Sequence, residues 1–89
     1  MTPREADFVL MNSLPVRVID RARGLDLYCG AINSLNKWKD KDGRARFSLD
    51  CVSRGGDIPS SVTAAIEDCH FARDKDKERY EKWEKQQTS

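Results

Sequence analysis

Cys29, Cys51, Cys69 and His70 are the residues whose types most readily do chemistry. Thiolate and imidazole bind zinc, and a cysteine beside a histidine can act as an activated nucleophile. Their spacing argues against both. Structural zinc sites draw ligands from close pairs such as C-x2-C, whereas these cysteines stand 22 and 18 residues apart. Cys69 and His70 are adjacent, so on a helix they would diverge by about 100°. An odd number of widely spaced thiols is also a poor disulfide frame. They read as reduced, buried, apolar groups, with no metal and no cofactor. The chain carries no G-x-G-x-x-G, P-loop, G-x-S-x-G or H-E-x-x-H motif, and no catalytic residue is assigned.

Charge offers a different chemistry. Lys37, Lys39, Lys41, Arg44 and Arg46 fall within ten residues. Asp42-Gly43 favours a two-residue hairpin turn, since both positions take positive φ. With that loop Lys41 faces Arg44, Lys39 faces Arg46 and Trp38 faces Phe47. The five cations then share one face, and the aromatic pair shares the other. Residues 44–51 alternate as a strand should: Ala45, Phe47, Leu49 and Cys51 against Arg44, Arg46, Ser48 and Asp50. A basic face of this kind suits phosphates or an acidic protein surface. It also suits plain solvation.

The third candidate is C-terminal. Of residues 73–85, 11 are charged, and Tyr80 and Trp83 interrupt the run one turn apart. On a solvated helix these aromatics read as anchors for a partner's groove, with Arg73, Lys77 and Arg79 beside them. Packing against the domain itself is the competing reading.

Local signals define the elements that must hold these groups. Thr2-Pro3-Arg4-Glu5 combines a cap, a proline at the first helical position and a capping box, which predicts a helix over 3–12. Pro15 ends or redirects it. Val18, Ala22, Leu25, Cys29 and Ile32 recur at 4, 3, 4 and 3, the spacing of one helical face. Residues 16–35 therefore read as one helix or as two broken at Gly24, with a short strand at Leu25–Tyr28 as a third arrangement. Arg54-Gly55-Gly56-Asp57 reads as loop. Asp57, Pro59 and Ser60 suit a helix start, and Val62, Ala65, Ile66, Cys69 and Ala72 suit its apolar stripe. Glu78–Lys82 and Glu81–Lys85 pairs carry that helix toward Gln86.

The sequence thus predicts an α+β fold, mainly helical: a capped N-terminal helix, a middle helical segment, a basic β-hairpin and a long charged C-terminal helix. Residues 1–72 form the core and 73–89 a charged extension ending in a short disordered tail. Eighty-nine residues with 38% apolar content allow one small core. No apolar run spans a bilayer, and the first residues lack a secretory signal, so the expected site is cytoplasmic. The functional expectation is a small non-enzymatic binding protein that modulates or inhibits a larger protein assembly. It would dock through the C-terminal helix and the basic hairpin. In size and charge balance it resembles small modulators made by phages and mobile elements. The alternative is a nucleic-acid-associated regulator, which a net charge of +1 disfavours. A homodimer through the long helix is a further arrangement, although no clean heptad demands one.

Overall fold

The computed structural model describes residues 1–53 and 60–88. Helix α1 (Pro3–Met11) begins as its sequence dictates. The Glu5 N–H donates to Thr2 Oγ1 at 3.1 Å, and the Thr2 N–H donates to Glu5 Oε1 at 2.9 Å. Ala6, Phe8 and Val9 are buried.

Beyond α1 the chain turns to strand. Five antiparallel strands outweigh the helices: β1 (Val16–Asp20), β2 (Leu25–Lys39), β3 (Ala45–Ser53), β4 (Ser60–Ala65) and β5 (Cys69–Phe71). A 3-10 turn, Ile66–Asp68, precedes β5, and helix α2 (Asp74–Thr88) closes the chain. The strand order is β4-β3-β2-β1-β5. Long β2 belongs to two three-stranded portions, pairing with β1 over Leu25–Cys29 and with β3 over Cys29–Lys39. The fold is therefore mainly β with two helices, and the mainly helical expectation is overturned.

Local geometry accounts for the error. In β2 two extra residues, Gly30 and Asn33, stand without a partner where the register against β3 shifts. Each bulge adds one residue to the strand's two-residue period. Cys29, Ile32 and Leu35 consequently all join the core at intervals of three, which imitates a helical face. Ala22 of the supposed stripe sits exposed in the β1–β2 turn, where Gly24 takes φ +67°. A similar substitution occurs further on. The 3-10 turn has about three residues per turn, so Ile66 and Cys69 are both buried without a continuous helix. The C-terminal helix thus starts at Asp74. The supposed loop and cap residues 54–59 lie outside the described residues.

The core gathers Phe8, Val9, Leu14, Val16, Val18, Cys29, Leu49, Cys51, Ile66, Cys69 and Tyr80. Only Ile66–Asp68 separates edge strand β4 from edge strand β5 along the chain, and Cys51 on β3 and Cys69 on β5 are buried in one core cluster. In a flat sheet three strand spacings would separate those strands by about 14 Å. The sheet is therefore rolled around its apolar face. Arg23 of the β1–β2 turn supports the roll by donating from Nη2 to the Thr63 carbonyl on β4 at 3.3 Å. No helix among the described residues is long and apolar enough to cross a membrane.

Candidate functional site: the basic hairpin arm

The end of the β2–β3 hairpin is an arm. The last pairing of β3 with β4 is Ser48↔Ala65, and β1 pairs with β2 no further than Cys29. Among the described residues, Lys37–Lys39 and Ala45–Phe47 pair only with each other. A two-stranded ribbon thus extends past the rolled sheet, in a molecule 44 Å along its longest axis.

Its loop is one residue longer than Asp-Gly alone suggests. The Asp40 N–H donates to the Arg44 carbonyl and the Gly43 N–H donates to the Asp40 carbonyl, both at 3.0 Å. The loop is Lys41-Asp42-Gly43, and Gly43 takes φ +77° as the left-handed residue of a three-residue hairpin loop. Asp40 fixes this choice. Its carboxylate accepts from the backbone N–H groups of Asp42 and Arg44, each at 2.9 Å, and from Arg46 Nε at 3.0 Å. These donors hold the Asp40 carboxyl below its usual range, the Arg44 N–H most of all.

The longer loop slips the register by one. Lys37 faces Phe47, Trp38 faces Arg46 and Lys39 faces Ala45. The expected division into one basic and one aromatic face is therefore corrected. Arg44 and Arg46 lie on the face of Trp38, while Lys37 and Lys39 share the face of Phe47, and Lys41 is in the loop. The Lys37 ammonium lies 5.9 Å from the Phe47 ring centre. All five cations are exposed. The Trp38 indole is 48% exposed, which is unusual for so large an apolar group.

Below Trp38 its face continues as a polar row that the sequence reading did not single out. Asp50 accepts from Ser34 Oγ and Thr63 Oγ1, both at 2.7 Å, and Asn36 Nδ2 donates to Ser48 Oγ at 3.3 Å. Hydroxyl donation from Ser34, then Thr63, holds the Asp50 carboxyl below its usual range. This row ties β2, β3 and β4 together at the root of the arm. The alternation of Arg46, Ser48 and Asp50 was the available signal for it.

Four of the five C-terminal candidates, all but Lys77, make contacts within the domain. Tyr80 is 7% exposed and joins the core, packed against Phe8 and Phe71 with ring centres 5.5 and 5.8 Å away. Trp83 is half-buried 5.2 Å from Phe8, with Arg4 5.3 Å above its ring. Arg73 forms a two-bond ion pair with the buried carboxylate of Asp76. Arg79 Nη2 donates to Asn12 Oδ1 at 3.2 Å, and Lys77 is exposed. Phe8, Met11 and Trp83 floor a groove between α1 and α2, rimmed by Arg79 and Lys82, and Met11 is 66% exposed.

Cys29, Cys51 and Cys69 are free and buried together. His70, next to Cys69 on β5, is exposed and aligns with Arg17 and Tyr28 across three strands on the opposite face. Strand alternation thus separates the imidazole from the thiols. Among the described residues no group of three ligands is arranged to hold a metal ion.

Comparisons with family models, curated proteins and solved structures find no match to this chain.

Proposed function

We propose that this protein is a non-enzymatic binding module whose contact element is the hairpin arm and whose ligand is a polyanion. The observation that carries this reading is the exposed Trp38 on a projecting ribbon with five exposed cations. Two aspartates oppose them, and Asp40 is turned into the loop. The arm therefore keeps a positive field although the whole chain is nearly neutral. Local charge of this kind attracts an anionic surface from a distance.

The test compares two variants with the same net charge. One carries Lys37→Gln, Lys39→Gln and Lys41→Gln on the arm. The other carries Lys75→Gln, Lys77→Gln and Lys82→Gln on α2. On a polyanionic resin, such as heparin, the arm variant should elute at markedly lower salt than the helix variant. Equal elution would assign retention to net charge and remove the arm from the mechanism.

A second reading rests on the exposed Met11. A protein partner docked over Met11 and Trp83 in the α1–α2 groove would let the module modulate a larger assembly, by occlusion or recruitment. Met11→Ser should then abolish a protein interaction that the arm variant retains. An interaction unaffected by Met11→Ser would exclude the groove.

A further inference from the structure

We infer that the arm takes single-stranded nucleic acid, stacked on Trp38. This inference rests on the polyanion reading above and specifies its ligand. Three features carry it.

The first is the indole. It lies across the ladder from Arg46, whose guanidinium is held by Asp40, so an aromatic surface and a planar cation stand side by side on one face. Unpaired bases stack on such surfaces whatever their identity. In a duplex the base faces are covered by their neighbours, so an indole standing on an open strand face meets only edges and phosphates.

The second is the distribution of charge. Arg44 and Arg46 share the face of Trp38, whereas Lys37 and Lys39 emerge from the other face of the same two strands. A rigid acidic protein surface pressed on one face would leave the cations of the other unused. A flexible phosphate backbone can cross the ribbon's edge and meet both sets, with Lys41 at the tip.

The third is spacing. Asn36 and Trp38 are successive positions on one face of β2, about 6.6 Å apart. That is about twice the 3.4 Å rise of stacked bases along one strand. A strand opened to this step can place one base on Trp38 and offer the next to the half-buried Asn36 amide. The hydrogen-bonded row through Ser34, Asp50 and Thr63 keeps this surface from bending.

The experiment measures binding of an end-labelled short oligothymidylate by fluorescence anisotropy. Unlabelled competitors are a duplex of equal length and a poly-glutamate peptide. The unmodified oligonucleotide should compete at least tenfold better than either. Trp38→Leu should weaken binding roughly ten- to hundredfold, the range for loss of one stacked base. Arg44→Gln should weaken it less and lower its salt dependence. Circular dichroism of each variant checks folding, and the exposure of both side chains predicts unchanged spectra. If no probe binds, the polyanion reading and this inference both fall. If the duplex or poly-glutamate competes equally well and Trp38→Leu is silent while Lys39→Gln is not, the arm remains a polyanion site. The single-strand inference is then overturned.

Discussion

Tyr80 on α2 meets Phe8 on α1 edge-on, with ring centres 5.5 Å apart and planes at 65°. One turn later Trp83 tilts over the same phenylalanine. Phe8 is thus the hub that fastens the C-terminal helix to the N-terminal one. Without those aromatic contacts α2 is a strongly charged helix with little reason to lie on the domain.

Loss of this contact should be costly. Tyr80→Ala removes a core aromatic, and truncations of that kind destabilise by about 3–5 kcal/mol. Urea unfolding should show a large drop in midpoint for Tyr80→Ala and a smaller one for half-buried Trp83→Ala. An unchanged midpoint for Tyr80→Ala would mean that α2 is not fastened at Phe8.

Gly43 is required by its backbone. At φ +77° a Cβ meets no steric obstacle from neighbours, so the penalty is purely conformational. Gly43→Ala should destabilise by about 1–2 kcal/mol. Gly43→Asn should lose less, since asparagine tolerates the left-handed region. Thermal unfolding of the two variants checks the order, and equal losses would indicate a different loop.

The Asp40 carboxylate makes the loop acid-sensitive. Its pKa is depressed on folding, so its contribution is present above the unfolded value near 3.9 and is lost as pH falls through the lower folded value. The amide resonances of Asp42 and Arg44 should shift together with a midpoint below about pH 3.9. Asp40→Ala should abolish that titration. A midpoint at or above the unfolded value would show that the carboxylate is not engaged.

The Cys29 thiol carries the opposite sign. Burial, and after it the neighbouring Cys51, pushes Cys29 up to about 11. The folded state keeps this thiol protonated, so stability should fall as pH rises from the unfolded value near 8.5 toward that of the folded thiol. Iodoacetamide at pH 8 should alkylate the three cysteines slowly in the native protein and rapidly in denaturant. Rapid native labelling would contradict their burial.

Legibility differed between elements for physical reasons. Helix α1 could be read because its capping box is a contact between residues three apart. The alternation of β3 could be read because that strand has no bulge of its own. The register of β2 could not, because it depends on Asp40 folding back on two backbone amides, which lengthens the loop by one residue. Of the strands at 16–35 and 60–65 only Leu25–Tyr28 was among the arrangements the sequence offered, and it lies in β2; the rest was hidden for a related reason, since bulges and a 3-10 turn moved apolar residues to intervals of three. The placement of Tyr80 was decided by Phe8, 72 positions earlier in the chain. No pattern within α2 reports on a partner so distant. Trp38, which the sequence places on the face opposite the cations, stands in the structure on the same face as Arg46. The sequence paired it with Phe47, and the structure pairs it with Arg46.

The unpartnered residues Gly30 and Asn33 also separate the length of β2 from its phase. Removing Asn33 would shorten the strand yet leave Ser34, Asn36 and Trp38 on the side they now occupy, because the deleted residue has no counterpart in β3. Removing Asn36, which does have one, would turn over everything from Lys37 to the loop and carry the indole to the other side of the ribbon. Along this strand, then, a deletion can be silent or can invert the proposed contact surface. Which of these happens depends on whether the residue faces a partner across the ladder, and its own chemistry has little part in it.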